Sequence, residues 1–162
     1  EAIKKYGCVD NVELIFVGEG KHLNKLKELS IGLECIKFIP HQPISITRKI
    51  IEEASMGIVS LENEVIKYAY PSKTMTYLSE GTPVLVSMEE ESELSRFVLN
   101  NKLGTVININ NVADIYSVFK SLNNQYADYD SEHIKSIFQN NFSKIVYEDK
   151  FLKLFNSLME NK

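Results

Sequence analysis

Residues 12–29, VELIFVGEGKHLNKLKEL, decide the fold. A run of branched apolar residues stops at Gly18-Glu19-Gly20, and leucines then recur at 23, 26 and 29. The period changes from that of a buried strand to that of an amphipathic helix across one glycine-rich turn. The same succession repeats down the chain. Apolar runs at 35–39 (CIKFI), 56–61 (MGIVSL), 84–87 (VLVS) and 105–109 (TVINI) read as strands. Between them, apolar residues spaced three or four apart read as helices: Ile46, Ile50 and Ala54; Met75 and Leu78; Leu94, Phe97 and Val98; Ile115, Val118, Phe119 and Leu122. Strand and helix in strict alternation predict parallel strands with right-handed crossovers. The expected class is therefore α/β, a Rossmann-like open parallel sheet with helices on both faces. The core spans 12–123, and two helices over 131–160 close the chain without another strand. EAIKKYG reads as a helix ending at Gly7.

Composition narrows the function. The 162 residues suffice for one domain, with 44% hydrophobic and 25% charged residues. A net charge of -4 and the absence of any basic run argue against a nucleic-acid partner. No apolar run approaches the length of a membrane span. Cys8 and Cys35 fit no metal or redox spacing and read as reduced thiols in a cytosolic setting. The histidines lack metal-ligand spacing, and neither a Ser-His-Asp nor a Cys-His arrangement can be assembled. No metal and no cofactor are expected.

Four segments carry candidate chemistry. Gly18 and Gly20 follow a strand, where backbone amides can approach a phosphate or hydroxyl. The third glycine of the dinucleotide fingerprint is absent, and so is a P-loop. In FIPHQPIS, Pro40 and Pro43 stiffen a turn that presents His41 and Gln42 at a strand end, against the plainer reading of a rigid connector. In YAYPSKTMTYLSEGTPVLVS, residues 68–87, Pro71 suits the first position of a helix that Gly81 ends. Lys73 then falls in the first turn, where the helix dipole opposes a cation and favours an anion. A diphosphate at that helix start would be met by amides, dipole and ammonium together. Finally, Glu89, Glu90, Glu91 and Glu93 crowd another helix start, where acidic residues are ordinary helix chemistry.

Taken together and in order, VGEG, FIPHQP, PSKTMTYLSEGTPVLVS and ESELSRFV resemble the nucleotide-sugar-binding C-terminal half of family 4 (group 1) glycosyltransferases of GT-B architecture. The branch resembled acts in bacterial lipopolysaccharide, O-antigen and capsule assembly, with L-fucosamine and colanic acid transferases as its type. The resemblance implies that Ser72 and Lys73, with Gly18 and Gly20, face the donor diphosphate and sugar, that His41 and Gln42 read the base, and that Glu93 borders the donor pocket. Thr76 stands where many members keep a glutamate, which leaves the ribose to a hydroxyl. The second glutamate of the family motif, near Tyr68, is absent, with Glu62 and Glu64 as weak substitutes.

The implied activity is retaining transfer of a sugar, from a UDP-sugar, to a lipid-linked or polysaccharide acceptor, by a cytoplasmic protein peripheral to the inner face of the membrane. The alternatives are a nucleotide-sugar 2-epimerase of the same architecture and a non-catalytic α/β binding module. The family's acceptor domain, and the first strand and helix of its donor domain, have no counterpart here, so the chain reads as a fragment that is inactive alone. In the family that strand is central. Its absence predicts a gap between the strands near Val12 and Met56, with strand exchange or self-association as the remedy.

Overall fold

The structure is a computed structural model that describes residues 1–60, 71–87, 92–107, 111–125 and 128–160. Its elements run α1 (Ala2–Tyr6), β1 (Leu14–Val17), α2 (Leu23–Leu29), β2 (Ile36–Ile39), α3 (Ile44–Glu53), β3 (Gly57–Ser60), α4 (Ser72–Ser79), β4 (Val84–Ser87), α5 (Glu93–Asn100), β5 (Gly104–Ile107), α6 (Val112–Gln125), α7 (Ser131–Phe142) and α8 (Lys144–Glu160). Every strand pair is parallel, and helices separate the strands, so the class is α/β. No helix among the described residues is long and apolar enough to cross a membrane.

Among the described residues the strands form a two-stranded sheet, β1-β2, and a three-stranded sheet, β3-β4-β5. β1 and β3 are not paired with each other, in keeping with the gap expected between the strands near Val12 and Met56. In the larger sheet β4 is central and buried on both faces, as a parallel strand covered by helices should be. Val59, Val84 and Val86 pack with Leu78 of α4, Leu94 and Val98 of α5, Leu103, and Ile134 of α7 to form the core. In the smaller sheet Phe16 stacks on Phe38 across the ladder at 5.3 Å, yet Ile15 is 44% exposed and Val17 37%. One face of that sheet is therefore bare.

Helix α3 ties the two sheets together. It leaves β2 at Pro43 and enters β3, and its last turn receives a 2.7 Å hydrogen bond from Thr82 Oγ1 to the Ile51 carbonyl. Arg48 pairs with Glu80 at 3.4 Å. At the other side α1 packs on α6, with the rings of Tyr6 and Tyr116 5.0 Å apart and the Tyr116 hydroxyl donating to the Tyr6 carbonyl.

The cysteines correct the expectation of reduced thiols. Cys8 and Cys35 form a disulfide, and no free thiol remains. Their 27-residue separation conceals that Cys35 immediately precedes β2, while Cys8 lies in the loop that leads into β1. Parallel pairing of Leu14 with Ile36 puts the two strand starts side by side, and the Leu14 amide donates to the Cys35 carbonyl. The inference of a cytosolic compartment from reduced cysteines therefore falls, because disulfides persist where the surroundings are oxidising.

Two glycines fix close packing around α4. Gly81 ends it at φ 79°, and a β-carbon there would run into Ser131 and Lys135 of α7. Gly57, at the start of β3, lies under the ring of Tyr77. Burial of that ring pushes the Tyr77 phenol above its ordinary pKa.

Candidate functional site

In a parallel α/β sheet, ligands bind at the carboxyl edge, where each strand hands over to its helix. The singled-out residues that are described all follow a strand in the chain. Gly18 and Gly20 follow β1, His41 and Gln42 follow β2, Ser72, Lys73 and Thr76 belong to the helix after β3, and Glu93 to the helix after β4.

Three of them come together. Gly18, His41 and Gln42 line a groove of about 320 Å³ with Val17, Ile44 and Thr47. The Gly18 amide continues the ladder by donating to the Ile39 carbonyl at 2.9 Å, which holds the glycine turn against the FIPHQP turn. Gln42 Nε2 donates to the Pro40 carbonyl at 3.0 Å, so its amide oxygen is turned away from that bond and remains an acceptor. Thr47, which the sequence reading passed over, donates Oγ1 to the Gln42 and Pro43 carbonyls at 3.4 and 3.3 Å and fastens the turn to α3. A larger hollow of about 560 Å³ lies beside the disulfide, but it opens at the amino ends of β1 and β2, away from the strand ends where ligands sit.

Gly20 is outside this groove, and the residues Lys21 and His22 separate it from α2. The two glycines also differ in backbone. Gly18 has φ 113°, a conformation that L side chains rarely adopt, whereas Gly20 has no such constraint, and a β-carbon at either meets open space. Gly18→Ala should therefore cost about 1–2 kcal/mol of unfolding free energy. Gly20→Ala should leave stability within about 0.5 kcal/mol, which urea denaturation of the two variants will check.

The start of α4 is a separate candidate, since none of Ser72, Lys73 and Thr76 lines this groove. Pro71 occupies the N-cap position with ψ 128°, so the helix begins at Ser72, one residue later than expected. Pro71 has no hydroxyl or carboxylate to cap the helix, and the first turn contains no acidic residue. The Thr74 amide turns back to the Pro71 carbonyl at 2.9 Å, while the amides of Ser72 and Lys73 have no acceptor among the described residues. Ser72 and Lys73 are exposed, and Lys73 has no ion-pair partner among the described residues. Thr74 is expected to supply a free amide with Ser72 and Lys73, and the bond to Pro71 takes it. Thr74 is also fully buried, with Oγ1 lacking a hydrogen-bond partner among the described residues. An orphaned buried hydroxyl normally costs of order 1–3 kcal/mol. Its spacing on the apolar face gives no sign of this in the sequence.

Thr76 and Glu93 are more ordinary. Thr76 Oγ1 donates to the Ser72 carbonyl at 3.2 Å, which leaves the hydroxyl its lone pairs for an outside donor. Glu93 is exposed in the first turn of α5, where Ser92 caps the helix by accepting from the Ser95 amide at 3.0 Å. Dipole chemistry accounts for Glu93 fully. Glu62, Glu64, Tyr68, Glu89, Glu90 and Glu91 lie outside the described residues. Among the described residues no group of His, Cys, Asp and Glu is arranged to hold a metal.

No protein-family model matches the chain, and no curated protein matches it either.

Proposed function

We propose that this chain is the nucleotide-sugar-binding domain of a retaining glycosyltransferase, with UDP as the nucleotide. The observation that carries the reading is the start of α4. Two amides without an acceptor among the described residues, the positive end of the dipole and Lys73, which has no ion-pair partner among the described residues, belong to one helix start with no acidic residue in its first turn. Such a start suits a diphosphate, and a carboxylate cap would have repelled one. The groove at Gly18, His41 and Gln42 suits a base, with backbone and amide groups to read its edge. Ser72 and the sugar would lie between them.

In this reading catalysis is positioning and electrostatics. As the glycosidic bond to the diphosphate breaks, negative charge gathers on the departing phosphate oxygens, and the fixed amides and Lys73 stabilise it without reorganising. The acceptor glycan or lipid-linked sugar is held by a second domain, so the chain alone binds nucleotide weakly and transfers nothing.

Calorimetric titration with UDP, uridine, GDP and ADP tests the reading. UDP should bind more tightly than uridine, and Lys73→Ala should weaken UDP by about tenfold while changing uridine little, because a charge-assisted contact is worth about 1.5–3 kcal/mol. Equal losses for UDP and uridine would remove the diphosphate role. Failure to bind any of the four would favour a non-catalytic α/β module.

A further inference from the structure

Helix α8 carries more bare apolar surface than the rest of the fold explains. It is 17 residues long, and Tyr147, Phe151, Leu154 and Leu158 recur along it at alternating spacings of four and three. Each is more than half exposed. Leu152, Phe155 and Met159 form a second row beside the first, and they too are 53–59% exposed. Among the described residues α7 is the element that α8 chiefly packs on, and of residues 144–159 only Val146, near the amino-terminal end, is not exposed. Together these side chains leave on the order of 1,000 Å² of apolar area in water, above the largest patch of an ordinary monomer. The opposite face is plainly solvated. There Lys153 pairs with Asp149 at 2.6 Å, one turn apart.

We infer that this face of α8 is the interface of a homodimer, in which α8 pairs with α8 of a second copy in antiparallel orientation. Area supports it: burying most of the face on both copies reaches the roughly 1,200–2,000 Å² of a stable interface. Spacing supports it as well. A four-three repeat keeps one stripe against a facing helix. Charge disfavours a membrane surface as the occupant. Lys144, Lys150 and Lys153 are balanced by Glu148, Asp149 and Glu160, and the whole chain carries a net charge of -4, so an anionic bilayer offers no attraction.

Geometry selects the orientation. The remainder of each copy, a body roughly 35 Å across, sits at the amino-terminal end of α8, whereas paired helices lie only about 8–10 Å apart. Parallel helices would drive the two bodies into each other. Antiparallel helices place them at opposite ends and set the opposed dipole ends side by side. Phe151, near the middle of α8 and on the four-three stripe, then lies near the two-fold axis and faces its own copy.

Sedimentation velocity of the 162-residue chain between about 1 and 100 µM should show a monomer-dimer equilibrium in the micromolar range. The double variant Phe151→Glu, Leu154→Glu should weaken dimerisation by at least about 100-fold while its circular dichroism is unchanged, since both residues are exposed in the monomer. Because Cys8 and Cys35 are bonded to each other, Phe151→Cys adds the only thiol. That variant should cross-link to itself on oxidation, and Ile145→Cys should not. A monomer throughout that range, or a dimer indifferent to the double variant, would overturn the proposal. So would a monomer that floats with phosphatidylcholine/phosphatidylglycerol vesicles, and equal cross-linking at both positions would overturn the antiparallel arrangement.

Discussion

Gly81→Ala is expected to lower the unfolding free energy by about 3 kcal/mol, combining a left-handed backbone cost with overpacking. Gly81 sits at φ 79° just after α4, and its added methyl would meet the Ser131 side chain, the Ser131 carbonyl oxygen and Lys135 Cε. The carbonyl is held in the first turn of α7, which Asp130 caps by accepting from the Glu132 and His133 amides. That backbone cannot retreat without disturbing Ile134, which is fully buried in the core. Gly32→Ala provides the control. Gly32 has a matching φ of 80° but nothing within 4 Å of a β-carbon. Its substitution should cost only the backbone share, about 1 kcal/mol. Urea denaturation of both variants reads the difference, and equal losses would mean that α4 and α7 do not approach closely at Gly81.

Reduction of Cys8–Cys35 is expected to cost about as much again, close to 3.5 kcal/mol for a loop of this length if the whole chain-entropy gain is realised. The linkage closes a loop around β1 and α2, the part of the molecule that contributes no residue to the main core cluster. The loss should therefore be concentrated there, and the Cys8→Ser, Cys35→Ser double variant should reproduce it. Thiol titration of unfolded protein without reductant should find no free thiol. Two titratable thiols per chain would show that the bond does not form in solution.

Much of this architecture is legible in the order of residues, for a specific reason. A buried parallel strand needs a short run of branched apolar residues, so VELIFV, CIKFI and VLVS announce β1, β2 and β4 directly. Glycine and proline mark the handovers, which is why the ends of α1 and α4 were close to their expected places. The carboxyl-edge residues could be nominated for the same reason, since strand direction alone sends Gly18, His41 and Gln42 to one edge. Contacts set by three-dimensional register could not. Nothing local to Cys8 or Cys35 reveals that β1 and β2 start side by side, and nothing near Thr74 reveals that its hydroxyl is left unpaired. Helix α8 has the same difficulty in reverse: its apolar pattern reads as a helix, but an apolar pattern does not say whether the surface is covered.

The division of the strands into two sheets also divides the molecule's cooperativity. Strands β3, β4 and β5 hold the densely packed side chains and behave as the unit whose opening amounts to global unfolding, whereas β1 and β2 hold none below one-tenth exposure and can open by themselves at lower free energy. The helix start at Ser72 and Lys73 rides on the firm unit, and the groove at His41 and Gln42 on the soft one. A ligand spanning both must quiet the soft unit as it binds, so part of its affinity is spent on ordering, and any second ligand or contact that orders β1 and β2 beforehand raises that affinity with no change in the groove itself.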